Sequence, residues 1–228
     1  MKGFKRKTIL FVTNYSLKKI NRLIPNNDKI ILKYYNCNNK NHIKKLEKYL
    51  DKNIYNDSLL LSFSNSYIFK KRQLDKFEKI NKINFHPGLP EYPGRDVSHF
   101  ACYNNEREFG GTMHSITKKI DNGNIIELKK MQLNRKKPDH SYFLNIGHKA
   151  ICYLLKKNFS KLLKNNITFK KIKWSQTTYT RKKFLRMLHV KNDVTKDYLE
   201  HLRKSFYTPQ YPSLYKIKEG KKIFIKFN

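Results

Sequence analysis

The stretch INFHPGLPEYPG, residues 83–94, decides the reading of this chain. Its first four residues alternate apolar and polar, so Asn84 and His86, two apart on a strand, leave the same face. Pro87 and Gly88 then stop the strand and turn the backbone, because proline cannot donate to the ladder and glycine tolerates tight turns. Both polar side chains are left at the carboxyl end of a strand. In open α/β sheets that edge is where ligands bind.

Outward from this stretch, short β-branched apolar runs alternate with helical patterns, which is how parallel sheets with crossover helices read. Strands are expected at residues 8–12, 29–34, 58–63 and 83–86, with two more at 111–116 and 125–131. Between them Ile43, Leu46 and Leu50 mark an apolar helical stripe, and Leu74, Phe77 and Ile80 mark a second. A long helix is expected at 141–163, where Phe143, Ile146, Ala150, Ile151, Leu154 and Leu155 recur at helical spacing. The fold class is therefore α/β: a Rossmann-like, open, mostly parallel sheet with flanking helices, closing near residue 172. Residues 173–228 form a small α+β segment, with helices around Phe184 and Leu199. It ends in a hairpin over 213–227, turned at Glu219-Gly220.

Downstream of the decisive stretch, GGTMHSITKKIDNGNII carries Asp121 in a loop between two strands, within reach of the His86 imidazole. Each residue taken alone has a structural reading: His86 as a turn residue bonded to backbone, Asn84 as a packed amide, and Asp121 before Asn-Gly as turn chemistry. Their joint occurrence points to acid–base chemistry beside an amide donor.

Composition limits the partners. The chain has 228 residues, 39% of them hydrophobic and 14% aromatic, enough for a packed core. Fifty Lys and Arg oppose 17 Asp and Glu, a net +33, which favours an anionic substrate. That charge is spread along the chain rather than gathered in an arm or stripe, so specific nucleic-acid binding is not expected. Cys37, Cys102 and Cys152 are odd in number and widely spaced, which suits a reducing cytoplasm and offers neither a disulfide framework nor a paired zinc motif. The apolar run 8–13 is too short for a signal core or a membrane span, so no membrane partner is expected.

Three segments together resemble the folate-dependent formyltransferases. These are NFHP with the following PEYPG; FGGTMHSITKKIDNGNII, similar to the family's Gly-x-Thr-x-His strand leading to Asp-x-Gly; and the closing FYTPQYPSLYKIKEGKKIFI. The third segment, with TYTRKKF, resembles the tails of sugar N-formyltransferases. The resemblance implies that Asn84, His86 and Asp121 stand at the catalytic positions, with His114 supporting them. It implies 10-formyltetrahydrofolate as cosubstrate, lying against Ser62, Ser64 and Tyr67 and the loop of Lys118, Lys119, Ile120 and Asp121, with no metal.

The acceptor implied is a nucleotide-linked 3- or 4-amino deoxysugar. Arg95, Arg181 and Arg203 are candidates for its diphosphate, and Trp174, Tyr179, Tyr207 and Tyr211 for its base. A homodimer through the terminal hairpin is also expected. There are departures. Thr13-Asn14-Tyr15-Ser16 replaces the glycine-rich phosphate turn of glycinamide ribonucleotide transformylases, and the HPGLPEYPG loop is one residue short of its common form. The alternatives are a glycinamide ribonucleotide or methionyl-tRNA type of formyltransferase, and, from another class, a basic nucleic-acid-binding protein on an inactive formyltransferase fold.

Overall fold

The computed structural model describes residues 7–25, 27–52, 55, 58–133, 138–208 and 214–227. Its centre is a six-stranded sheet ordered β2-β1-β3-β4-β5-β6, formed by β1 (Lys7–Thr13), β2 (Ile30–Asn36), β3 (Leu59–Phe63), β4 (Lys82–His86), β5 (Glu108–Ser115) and β6 (Ile125–Gln132). The first four strands are parallel, whereas β5 pairs antiparallel with β4 and β6 pairs antiparallel with β5. β1 and β3 are flanked on both edges and covered on both faces. They therefore read as largely apolar runs, and all five residues of β3 are buried.

Odd and even positions serve different layers. Ile9, Phe11, Leu59, Leu61, Ile83, Phe85 and Met113 pack with Ile151, Leu154, Leu155 and Phe159 of helix α5 (His140–Leu163). Asp139 caps that helix by accepting from the Tyr142 N–H. The other face, through Leu10, Val12 and Leu60, meets Leu46 and Leu50 of α2 (Lys40–Lys52). The remaining helices are α1 (Leu17–Asn21), α3 (Lys71–Leu74), α4 (Val97–Tyr103), α6 (Arg181–Met187) and α7 (Lys196–Phe206).

The stripe of Leu74, Phe77 and Ile80 does not form one helix. α3 ends at Leu74 and a 3₁₀ turn covers Lys79–Asn81, while Leu74 is buried from the end of α3 and Phe77 from the loop between them. Burial without helical continuity produced the same spacing. Two short helices, α1 and α4, have too few residues to show a period and were not expected.

The tail packs on the core without a gap at residue 172. Phe184, Leu188, Leu202, Phe206 and Leu214 share one apolar cluster with Val97, Phe100, Phe109 and Phe143. The chain closes with β7 (Tyr215–Lys218) and β8 (Lys221–Phe224), turned at Gly220 with φ +74°. Tyr211, the residue before Pro212, lies outside the described residues. No helix among the described residues is long and apolar enough to cross a membrane.

Candidate active site

β4 is where the sheet changes from parallel to antiparallel, and its even positions, Asn84 and His86, face away from α5. Their cross-strand partners on β5 are His114 and Thr112. After Ser115 the chain loops out and returns as β6, and the loop holds Asp121 at φ +39°. Such a backbone is costly for a non-glycine residue and persists only where the surroundings enforce it. Ser64 and Asp96, on neighbouring loops, share this left-handed conformation at φ +42° and +58°.

Asp121 joins the group. Its Oδ1 accepts from the Asn84 amide at 3.1 Å and lies 3.3 Å from His114 Nε2. Its Oδ2 accepts from the Gly94 N–H at 2.9 Å and stands 3.3 Å from His86 Nδ1. Gly94 adopts φ +111°, and a Cβ there would collide with the Tyr179 carbonyl, so only glycine brings this N–H to the carboxylate. Burial alone would raise the Asp121 pKa. The charge of His86, the hydrogen bond and charge of His114 and the Gly94 N–H outweigh it and hold the carboxyl well below the usual range.

His86 is 4% exposed, and both ring nitrogens face oxygen: Nε2 the Tyr92 carbonyl at 2.8 Å, Nδ1 the Asp121 carboxylate. Only the doubly protonated ring satisfies both. Burial works against that charge and lowers the His86 pKa, with Asp121 opposing the shift. The ring thus sits between a site that welcomes its proton and a medium that disfavours its charge, as an acid–base group requires.

Asn84 is held from behind. Its Oδ1 accepts from Ser62 Oγ at 2.5 Å, and that hydroxyl in turn accepts from Asn65. The amide Nδ2 therefore points at His114 Nε2, 3.0 Å away, and at Asp121. His114 Nδ1 faces the Ser115 carbonyl at 2.9 Å, and its Nε2 stands between the Asn84 amide and the Asp121 carboxylate.

The other expected site residues divide into groups. Ser64 Oγ lies 3.3 Å from His148 Nε2, and the Tyr67 hydroxyl donates to Gln73 at 3.2 Å, both on the loop after β3. Lys118, Lys119 and Ile120 are exposed on the Asp121 loop. Because β3 and β5 flank β4, these two loops border Asn84 from opposite sides.

Arg95 and Arg181 converge on Asp96, at 3.2 and 3.5 Å, beside Gly94, and Tyr179 pairs with Gly94 while stacking on Tyr92. Arg203 instead makes a two-pronged contact with Glu200 on its own helix, at 2.6 and 2.8 Å, and Tyr207 packs on Phe227. Trp174 corrects the sequence reading. It is 8% exposed, with its ring against His114 and His86, so it leaves no open face for a nucleobase. Among the described residues no group of His, Cys, Asp and Glu is arranged to hold a metal ion.

No family model matches the chain. By sequence it is 32% identical over 93 residues to the bifunctional polymyxin resistance protein ArnA of Wigglesworthia glossinidia brevipalpis, a match covering 40% of this chain and 14% of that protein. It is 29% identical over 180 residues to the methionyl-tRNA formyltransferase of Mycoplasmopsis pulmonis, covering 74% of this chain and 57% of the other. By structure it superposes on a sugar N-formyltransferase from a Shewanella species with a TM-score of 0.77, 19% identity and 96% of each chain covered. The chain has the fold of the formyltransferases.

Within that formyltransferase fold, a 4-N formyltransferase from Francisella tularensis matches with a TM-score of 0.76 and 21% identity over 99% of this chain and 98% of its own. The N-formyltransferase of Helicobacter canadensis, solved with folinic acid and dTDP-3-aminofucose, matches with a TM-score of 0.68 and 20% identity over 94% and 85%. The chain spans less than two thirds of the length of each of these curated relatives, 14% of the first and 57% of the second.

Proposed function

We propose that this protein transfers the formyl group of 10-formyltetrahydrofolate to the amino group of a nucleotide-linked amino deoxysugar. The observation that carries the reading is the convergence of half-buried Asn84 with buried His86 and Asp121 beside the carboxyl end of β4.

Attack of a neutral amine on a formyl carbon creates an oxyanion and an ammonium that must lose its proton. The Asn84 amide is the donor for the oxyanion, which has to compete with Asp121 or His114 for one of the two amide hydrogens. His86 takes the amine's proton and returns it to the departing folate nitrogen. Asp121 sets the ring's orientation and stabilises the imidazolium in between. Ser62 at the end of β3, the loop of Ser64 and Tyr67 and the loop of Lys118, Lys119 and Ile120 are the proposed folate borders. Arg95, Tyr179 and Arg181 are the proposed acceptor contacts at the mouth, where two guanidinium groups now share one carboxylate that a diphosphate would replace. Arg203 and Tyr207, occupied with Glu200 and Phe227, are weaker candidates.

Support for a sugar acceptor comes from the near full-length superposition on sugar N-formyltransferases, one of them bound to dTDP-3-aminofucose. The sequence match to methionyl-tRNA formyltransferase favours tRNA as the second reading. A homodimer is proposed through the terminal hairpin, which exposes Ile217, Ile223 and Phe224.

Release of tetrahydrofolate should be followed with nucleotide-linked 3- and 4-amino sugars, glycinamide ribonucleotide and methionyl-tRNA in parallel. Fastest turnover with an amino sugar is expected. Faster turnover with methionyl-tRNA or glycinamide ribonucleotide would overturn the sugar assignment, and no turnover with any acceptor would overturn the enzyme assignment.

A further inference from the structure

Trp174 is the chain's sole tryptophan, and its surroundings point to a part in the chemistry rather than in acceptor binding. Its indole N–H donates to the Gly123 carbonyl at 2.8 Å, two residues beyond Asp121. Its ring stands edge-on to His114, with centroids 4.8 Å apart, and to His86, at 5.8 Å. Gly123 itself is pressed against β5, since a Cβ there would run into the Ser115 carbonyl. The Asp121 loop is thus gripped from two sides, by β5 and by the indole.

The residues around Trp174 extend the grip. The Lys170 N–H donates to the Ile125 carbonyl at 2.7 Å, and the Ser175 N–H to that of Pro90 at 2.9 Å. The Tyr179 N–H donates to Pro93, and Tyr179 in turn accepts from the Arg95 N–H. Segment 170–179 is therefore bonded to both loops that deliver the candidate catalytic groups: the one after Asp121 and the one after His86.

We propose that Trp174 is a positioning residue of the formyl-transfer centre, its indole N–H and ring fixing the Asp121 loop and the His86 and His114 rings in the geometry that couples His86 to Asp121. The inference rests on the proposed roles of those three residues and adds the tail segment to the machinery. The left-handed backbone of Asp121 needs such enforcement. The titratable groups facing His86 are Asp121 and His114, and Trp174 touches the rings of both histidines, so a shift of the indole changes the environment of each.

The test uses the full chain in two forms. One is Trp174→Phe. The other replaces the sole tryptophan biosynthetically by its benzothiophene isostere, which keeps the ring's size and loses only the N–H. Ring signals of His86 and His114 are titrated by NMR in the free protein, and turnover is measured across pH. The expected result is a folded protein with an altered His86 titration, an acid limb of the rate profile that moves with it, a turnover loss of about tenfold to a hundredfold and KM values within about threefold. Folded isostere-containing protein with unchanged histidine titrations and an unchanged pH profile would overturn the proposal. The isostere decides the matter where Trp174→Phe fails to fold. Should the unaltered protein transfer formyl to no acceptor, the proposed activity fails, while the histidine titration still tests the positioning role.

Discussion

Replacing Asp121 by asparagine keeps the side chain's shape and removes its charge. At the observed 3.3 Å, a full charge on His86 Nδ1 is attracted by about 5 kcal/mol at an effective dielectric of ~20. Part of that attraction only offsets the cost of burying the imidazolium, so the net loss in the transition state is about 3 kcal/mol, roughly a hundredfold in rate. The new amide also conflicts with its neighbours. Its oxygen is wanted by the Gly94 N–H, which turns the new NH₂ toward the Asn84 NH₂. A donor facing a donor in a buried site costs about 1–3 kcal/mol of stability.

The pH dependence has a definite sign. Asp121 favours protonated His86, so without it the His86 pKa falls further, and the acid limb of kcat/KM, which requires neutral His86, moves to lower pH. Tetrahydrofolate release across pH, with a parallel thermal melt, measures all three effects. A folded Asp121→Asn protein with wild-type turnover and an unmoved acid limb would refute the assigned roles of both residues.

Gly88→Ala should slow turnover about tenfold to a hundredfold with small changes in KM, because its Cβ would stand 2.6 Å from His86 Nε2 and 3.0 Å from Val97 and must push the ring aside; steady-state kinetics checks this. Stability should fall as pH drops below about 6.5. Burial lowers the pKa of His99 to about 3 and of His148 to about 4, so the unfolded chain takes up protons that the native state refuses over that window. A urea midpoint that stays flat between pH 6.5 and 4 would contradict this. A chain cut after residue 172 should show no cooperative melt, since it loses Phe184, Leu188, Leu202 and Phe206 from the shared core, each contributing about 1.5–3 kcal/mol against a typical total of about 5–15. Binding to DNA or RNA should be weak and vanish at moderate salt in a filter-binding titration, because the charge is diffuse; tight, sequence-selective binding would favour the nucleic-acid-binding reading.

What the sequence makes legible follows from how local the physical cause is. The strands around Ile9 and Leu60 are legible because burial on two faces forces largely apolar runs, and the strand around Ile83 because apolar and polar residues alternate along it. Asn84, His86 and Asp121 stand out because a strand that ends in His-Pro-Gly and an acidic turn are local patterns. Trp174 was misread because it stands in the mostly polar stretch KKIKWSQTTYT, and nothing local records that Gly123 and two histidines enclose the indole. The same limit hid the positive φ of Ser64 and Asp96, which are held by contacts from distant segments.

The bond from Trp174 to Gly123 spans 51 residues, and this separation bears on how the protein is made. A ribosome delivers the chain from its N-terminus, so His86 and Asp121 emerge while the indole is still inside the exit tunnel. For that interval the sheet lacks the apolar residues that complete its core, and the acid–base pair is held in place only when the segment from Trp174 onward folds back. Maturation of the site is therefore a late event of synthesis, tied to the docking of α6 and α7 rather than to the completion of the sheet.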